Sequence, residues 1–140
     1  GTLKCGSVEI DFYPFYKTYS GNNNQSVTFT LNIANTTYLF TGDMESEREE
    51  EFVDLYDIDV DILKSPHHGS ISSSTEKFLD DINPEEVWVS CYRKNTHNHP
   101  HPEVISRYEE RNLRIFRTDL MGTIEQHYIF GIGYKKYHKP

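Results

Sequence analysis

The sequence predicts an α/β fold in which a mainly parallel sheet packs against helices. Segments of alternating apolar and polar residues, typical of strands, are separated by amphipathic segments with helical period. Strands that alternate with helices in this way form parallel sheets covered by helices. The chain has 140 residues, of which 36% are hydrophobic and 14% aromatic, enough for the core of one domain.

The first third of the chain predicts antiparallel strands. Residues 8–12 alternate between apolar and polar side chains until Pro14 ends the strand. The polar segment 20–25 contains turn formers and nothing to bury, so we expect a loop. Residues 27–40 predict a hairpin whose turn falls at residues 35–36.

The rest of the chain predicts helices alternating with strands. Ser46 and Glu49 are spaced as a capping box, which predicts a helix to about Tyr56 with its acidic run facing solvent. The inner stripe of this helix is expected to include Phe52 and Leu55. The segments that follow predict, in order, a strand at 57–63, a short helix ended by Asn83 and Pro84, a strand at 87–89, a helix from Pro102, and strands at 113–116 and 122–130.

Charge and composition restrict the function classes. The chain carries 22 acidic and 14 basic residues, for a net charge of -8, so net charge gives no support to steering onto DNA. Cys5 and Cys91 form neither a disulfide framework nor a zinc set, and Cys91 is expected to be a buried, inert thiol. No apolar run approaches the roughly 20 residues of a membrane span. Because the chain begins at Gly1 without Met, we expect it to be a piece of a longer protein.

Two strand ends carry side chains of the types that bind metal ions. Asp43 and Glu45 follow one apolar strand, and His67 and His68 follow the next. Parallel strands bring such ends to one edge of a sheet. A carboxylate at a buried strand end needs a partner, because desolvating it alone costs several kcal/mol, so Asp43 is expected to bind metal. The alternative is an acidic residue that stabilises a helix N-terminus.

The paired histidines are the stronger signal. Adjacent histidines after a strand point in different directions, so one can bind metal while the other faces substrate. We expect Ser70 to make a supporting contact. A histidine pair in an ordinary surface loop is the alternative interpretation.

Two further clusters stay open. Residues 95–102 contain three alternating histidines between prolines and asparagines, and they are compatible with a loop beside a substrate pocket, a structural turn, or an independent metal site. Arg117 and Asp119 either orient a phosphate or form a buried salt bridge.

The segments 41–45, 61–70, 95–102 and 117–124 together resemble the metallo-β-lactamase-like domain of ComEC-type late-competence DNA-uptake proteins. They are also similar to related secreted hydrolases such as phosphorylcholine esterase. The resemblance extends from Val8 to about Ile129. It implies the αββα sandwich, of which residues 1–130 would be the C-terminal half, with a mixed sheet and helices on one face. Residues 131–140 are expected to form a flexible tail.

The resemblance also implies roles for single residues and a cofactor. Asp43 resembles a carboxylate that bridges two metal ions, and His68 resembles a histidine that binds one of them. Glu45 and His67 would act beside the bound phosphate as catalytic groups. The implied cofactor is a divalent metal, zinc or manganese. Substrate contacts are expected from three residues: Ser70, Asn95 and His99.

The chain departs from this family in one respect. The motif His-x-His-x-Asp-His, which supplies most ligands, is absent from these residues. Since a binuclear site needs about four to six protein ligands, we expect a phosphodiesterase that is inactive without the missing N-terminal half. Its implied substrate is a phosphodiester such as single-stranded DNA, at the extracellular or cell-surface side of a bacterial membrane.

Two alternative functions and one expected property of the isolated chain remain beside this interpretation. The first alternative is half of a secreted phosphate-ester hydrolase, and the second is a non-catalytic binding or scaffolding module of the same fold. If the first half of the domain is missing, an apolar edge would be bare, and the chain is then expected to self-associate.

Overall fold

The computed structural model describes residues 1–138, which form a seven-stranded sheet, a separate two-stranded hairpin and four α-helices. The remaining residues of the expected tail, Lys139 and Pro140, lie outside the described residues. In chain order, strands β1 to β9 are Thr2–Cys5, Val8–Phe12, Phe29–Ile33, Thr36–Phe40, Ile62–Lys64, Glu86–Val89, Arg114–Arg117, Thr123–Ile129 and Ile132–His138. Helices α1 to α4 are Ser46–Leu55, Glu76–Ile82, Pro102–Glu110 and Thr118–Met121.

The large sheet is mixed and its strands follow chain order from β1 to β7. Strands β1 to β4 pair antiparallel, and strands β4 to β7 pair parallel. The predicted hairpin is β3–β4, closed by Ala34 and Asn35, which both have positive φ as a tight hairpin turn requires. The predicted fold class, an α/β fold with a mixed sheet, is confirmed, but the sheet is half antiparallel rather than mainly parallel.

The core lies between the large sheet and three helices. Alternate side chains of the strands point to this side, as the two-residue period of a strand dictates. Its largest fully buried apolar and aromatic side chains from strands and helices are Leu39, Leu63, Val87, Val89, Phe52, Phe78, Leu79, Ile82 and Tyr108.

The opposite side of the sheet is partly covered by the β8–β9 hairpin. The Tyr38 hydroxyl contacts that of Tyr128, and the rings of Phe116 and Tyr137 stack with centroids 5.8 Å apart. Lys135 Nζ lies 2.9 Å from the carboxylate of Glu86, whose side chain is fully buried. A buried carboxylate needs such a partner, so this ion pair holds the hairpin against the sheet.

Helix α1 differs from the prediction in its cap and in its acidic face. Glu45, not Ser46, is the N-cap residue. Glu49 is fully buried, because its carboxylate accepts the backbone N–H groups of Ser74 and Thr75 at 2.5 and 2.8 Å instead of closing a capping box. Glu51 is also buried, paired with Arg48. Conversely, Leu55, expected in the inner stripe, is exposed. Loops packed against α1 thus bury acidic groups that a helical pattern assigns to solvent.

Two other segments also differ from the prediction. The strand expected at 57–63 is only Ile62–Lys64. The N–H of Val60 donates instead to the carbonyl of Ile82 at the end of α2, and that of Asp61 donates to the carbonyl of Thr37. The segment 131–138, expected to be loose, forms β9 in register with β8. Its turn uses Phe130 and Gly131, both with positive φ.

Glu49 is predicted to make stability depend on pH. Burial raises its pKa from 4.5 to about 7, against the opposing backbone hydrogen bonds from Thr75 and Ser74. Because the folded pKa is the higher one, the stabilising contribution is complete below pH 4.5 and is lost as the pH rises through about 7. Between pH 5 and pH 8 the wild type should therefore lose about 2–3 kcal/mol of unfolding free energy relative to Glu49→Gln.

Urea denaturation at both pH values measures this difference. Glu50→Gln, at an exposed position on the same helix, is the matched control and should keep the pH dependence of the wild type. Equal pH dependence in the wild type and Glu49→Gln would contradict the assignment.

Candidate metal centre

The two predicted site loops meet at the carboxyl edge of the parallel part of the sheet. Strands β4 and β5 are neighbours, with Leu39 opposite Leu63, so the loops that follow them start side by side. The backbone N–H of His67 donates to the carbonyl of Gly42 at 3.0 Å. This hydrogen bond joins the loop that carries Asp43 directly to the loop that carries the histidines.

Asp43 and His68 converge at this edge. Asp43 Oδ1 lies 3.5 Å from His68 Nε2, and both side chains are about half exposed, at 44% and 48%. The other ring nitrogen, His68 Nδ1, lies 2.6 Å from the carbonyl of Ser90. A carbonyl accepts only from N–H, so Nδ1 carries a proton, and in the neutral ring Nε2 directs its lone pair towards Asp43.

This spacing fits two ligands of one cation. Ligand atoms at 2.0–2.1 Å from a tetrahedral zinc ion lie about 3.3 Å from each other. Metal-binding histidines are usually held in this way: the ring nitrogen that does not bind the metal donates its N–H to a backbone carbonyl. The donor set and its geometry therefore fit a divalent metal.

His67 and Glu45 form a second pair beside the first. His67 Nδ1 lies 3.5 Å from Glu45 Oε1, with the side chains 22% and 27% exposed. This distance is the outer limit of a hydrogen bond, and within residues 1–138 nothing else bonds to this buried nitrogen. Glu45 is therefore the one polar side chain that faces this nitrogen within the described residues.

The backbone of the histidine loop is strained. His67 and His68 both have left-handed conformations, with φ of 45° and 56°, which cost on the order of 1–2 kcal/mol each for residues with a Cβ. Gly69 follows with φ of 83°, and a Cβ there would lie 2.5 Å from Pro100 Cβ, so only glycine fits. Strain of this kind concentrates at functional sites, where the surrounding structure enforces it.

The polar loop before β3 supports the site, which the sequence did not predict. Ser26 Oγ accepts the backbone N–H of Asp43 at 3.0 Å, and Asn24 Oδ1 accepts that of Glu45 at 2.9 Å. Asn23 Nδ2 donates to Glu45 Oε1 at 3.2 Å. Asn24 is only 2% exposed, although its segment was expected to bury nothing. The available signal was chemical: the backbone N–H groups and the carboxylate of the Asp43–Glu45 loop need hydrogen-bond partners, and this segment is rich in hydroxyl and amide side chains.

Ser70 is buried and contacts Glu45 only through Ser72. Its side chain is 7% exposed and its hydroxyl lies 3.1 Å from that of Ser72. Ser72 Oγ donates to Glu45 Oε1 at 3.1 Å. This geometry fits the supporting contact expected of Ser70, and its expected substrate contact stays a prediction.

The histidine-rich loop lies beside His67. The ring of His99 is 5.5 Å from the ring of His67. Burial lowers the pKa of His99, and the neighbouring imidazoles, that of His67 first, lower it further, so the neutral ring is favoured. Across residues 1–138, no three His, Cys, Asp or Glu side chains converge as a metal set, so the geometry gives no support to an independent metal site here.

Asn95 fixes this loop through its side-chain amide. Its Nδ2 donates to the carbonyls of Tyr92 and His99 at 2.7 and 2.6 Å, and its Oδ1 accepts the N–H of His99 at 2.8 Å. Both amide donors are thereby used within the loop. In this structure Asn95 positions His99, and its expected role in binding substrate stays a prediction.

Arg117 and Asp119 form the salt bridge that was one of their two predicted alternatives. Arg117 donates to both Asp119 oxygens, at 3.1 and 2.7 Å. Cys91 lies against this pair, and burial together with Asp119 raises the pKa of its thiol to about 11. A thiol with such a pKa stays protonated at neutral pH, in agreement with the inert role expected for Cys91.

Comparison with known proteins gives homologues among competence proteins. The chain is 31% identical over 122 residues to ComE operon protein 3 of Bacillus subtilis and 31% identical over 129 residues to competence protein ComA of Neisseria gonorrhoeae. These matches cover 86% and 90% of this chain but only 16% and 18% of the two relatives. Recombination protein 2 of Haemophilus influenzae is 27% identical over 103 residues, 74% of this chain and 13% of that protein. No family model matches the sequence.

The fold is similar to that of a solved enzyme. The CmlA beta-hydroxylase, in its E377D mutant form, superposes with a TM-score of 0.55 at 14% identity, over 84% of this chain and 31% of that one. At this identity the likeness is one of fold alone, and it agrees with the predicted fold class. No helix among the described residues is both long and apolar enough to cross a membrane.

Proposed function

We propose that this chain is the C-terminal half of a metallo-β-lactamase-like domain in a competence protein, and that the domain is a metal-dependent phosphodiesterase acting in DNA uptake. The names of the homologues support the link to competence. The proposal of a metal-dependent enzyme rests on the approach of Asp43 Oδ1 to His68 Nε2 at 3.5 Å. The hydrogen bond from Nδ1–H to the carbonyl of Ser90 leaves Nε2 of the neutral ring available to bind a metal ion.

Asp43 and His68 would hold a divalent ion, zinc or manganese, since both accept a carboxylate oxygen together with an imidazole nitrogen. When bound, such an ion polarises a phosphoryl oxygen and favours deprotonation of water near neutral pH. Ser26 accepts the backbone N–H of Asp43, and the carbonyl of Ser90 accepts Nδ1–H of His68. Both metal-binding residues are thus positioned before metal or substrate binds.

His67 and Glu45 are the proposed catalytic pair. Glu45, held by Asn23 and Ser72, faces His67 Nδ1 and orients the ring. His67 would then donate a proton to the departing oxygen of the phosphodiester or to a phosphate oxygen. His99, whose ring is 5.5 Å from that of His67, would contact the substrate from the other side.

Two ligands are too few for a binuclear site, so we propose that the N-terminal half of the same domain supplies the rest. An uncovered aromatic surface gives this half a place to pack. On the side of the sheet opposite the core, the ring of Phe29 lies 5.9 Å from that of Phe12 and 4.9 Å from that of Phe40, and neither Phe12 nor Phe29 is buried. A second sheet packed on this surface would complete an αββα sandwich.

The isolated 140-residue chain is expected to self-associate through this aromatic surface. Phe12→Lys, at a position that is 37% exposed, should shift the chain towards monomer in analytical ultracentrifugation. Leu55→Lys, at a position that is 45% exposed at the end of α1, is the matched control and should leave the association unchanged. A wild-type chain that stays monomeric at high concentration would contradict this prediction.

The proposed substrate is single-stranded DNA on the cell-surface side of a bacterial membrane. The competence homologues favour DNA over the small ester of a secreted hydrolase. The strained histidine loop favours an enzyme over a scaffolding module, because a module that only binds has no need to hold two histidines in left-handed conformations.

Hydrolysis by the full-length protein tests this proposal. We expect cleavage of single-stranded DNA and of bis-p-nitrophenyl phosphate that stops in a chelator and returns with manganese or zinc. Cleavage of the small ester alone would favour the secreted-hydrolase alternative. The absence of both activities at saturating metal would leave only the non-catalytic module.

A further inference from the structure

A cleft of about 290 Å³ opens next to the Asp43–His68 pair. His68 forms one part of its wall, and the rest comes from the segment between β6 and α3, chiefly Tyr92, His97 and His99. Because His68 belongs both to the cleft wall and to the metal-type pair, a molecule in the cleft would lie directly beside a phosphate bound at that pair.

Flat aromatic surfaces line this cleft. Tyr92 is 71% exposed, an unusual state for a large ring at the wall of a concave site. The rings of His97 and His99 lie 5.6 Å apart at an interplanar angle of 31°. Exposed rings at the wall of a cleft are the surfaces on which the bases of single-stranded nucleic acids stack.

In the part of the chain that the structure describes, the wall of the cleft carries no acidic side chain, and two cationic residues adjoin it in the chain. The chain carries a net charge of -8, yet no acidic residue is among the described residues that line the cleft. Arg93 and Lys94 directly follow Tyr92, are exposed, and have no ion-pair partner within residues 1–138. Unpaired cations next to exposed rings are complementary to a polyanion that carries bases.

We propose that this cleft is a nucleobase subsite for a single-stranded nucleic acid, in which Tyr92 and the imidazole of His97 stack against a base and Arg93 and Lys94 contact flanking phosphates. The proposal rests on the phosphodiesterase function above and adds to it the residues that select a nucleic acid over a simple phosphate ester. A duplex is excluded from this mode, since its bases are already stacked on each other. The segment is held in shape by Asn95, whose amide bonds to the backbone of Tyr92 and His99.

Binding of labelled oligomers to the full-length protein in a chelator tests the subsite without relying on hydrolysis. The two probes are a short oligothymidine and an abasic phosphodiester of equal length, which has the same charge but no bases. The wild type should bind oligothymidine about 5- to 150-fold more tightly, the range that loss of one stacked base produces. Tyr92→Ala should remove most of this preference, and Tyr92→Phe should keep it.

Two further variants separate stacking from charge. Arg93→Ala with Lys94→Ala should weaken both probes alike and reduce the dependence of affinity on salt. Tyr16→Ala, at a position that is 78% exposed and does not line the cleft, should change neither probe. Equal affinity of the wild type for the two probes, or an unchanged preference in Tyr92→Ala, would overturn the subsite. Binding with the expected preference but no hydrolysis in metal would overturn the proposed function and leave the subsite standing.

Discussion

Replacing His68 by alanine in the full-length protein is expected to lower kcat/KM for a phosphodiester by about 1,000-fold or more. A divalent cation contributes several kcal/mol of transition-state stabilisation, and each 1.4 kcal/mol corresponds to about tenfold in rate. Asp43→Ala should have an effect of the same order, since its carboxylate faces the same position at 3.5 Å. Steady-state kinetics at saturating manganese or zinc measures both.

The matched control for this prediction is His138→Ala. His138 is exposed to a similar extent as His68, 57% against 48%, and lies on β9, where it pairs with Glu125. This variant should keep wild-type activity. Near-normal rates in His68→Ala, in a protein that retains its circular dichroism spectrum, would show that this imidazole does not hold the catalytic metal.

The second large effect concerns the 140-residue chain by itself, which we expect to hydrolyse phosphodiesters no faster than the background. Asp43 and His68 can supply two metal ligands. Across residues 1–138, no third His, Cys, Asp or Glu side chain converges with any such pair. Two ligands bind a cation weakly and leave its coordination to solvent, so neither tight binding nor an ordered substrate complex is expected.

Assays of the isolated chain beside the full-length protein, at equal concentration and saturating metal, measure this difference. Any residual rate is compared with that of the isolated Asp43→Ala chain, which exposes contaminating nucleases. A metal-dependent rate that is present in the wild-type chain and absent from the variant would contradict the prediction. The proposal that an N-terminal half completes the site would then fall.

Much of the fold follows from local patterns. The β3–β4 hairpin, helix α2 ending at Asn83, and the buried strand β6 lie where alternation and turn or helix-breaking residues predict them. These elements are defined by residues close in the chain, so the sequence pattern is enough. Helix α1 shows the opposite case, because Glu49 is buried by amides of residues 74 and 75, which only tertiary structure brings near.

The candidate site also has parts that local sequence patterns predict and parts that they do not. Strand ends with metal-type residues predict that Asp43 and His68 approach each other, because parallel strand register alone brings them to one edge. The supports of the site are not predictable from local pattern. Ser26, Asn24 and the carbonyl of Ser90 reach the site through loops distant in sequence, and polar loop residues carry no periodic signal. The hydrogen bonds of Ser70 and Asn95 to neighbouring polar groups are equally invisible to a local pattern.

The most direct test of the central claim is anomalous diffraction from crystals of the full-length protein grown with zinc or manganese. The account predicts an anomalous peak about 2.0–2.2 Å from both His68 Nε2 and an Asp43 carboxylate oxygen. His68 Nδ1 should still donate to the carbonyl of Ser90. Full metal occupancy elsewhere in the protein, with His68 and Asp43 both free of metal, would contradict it.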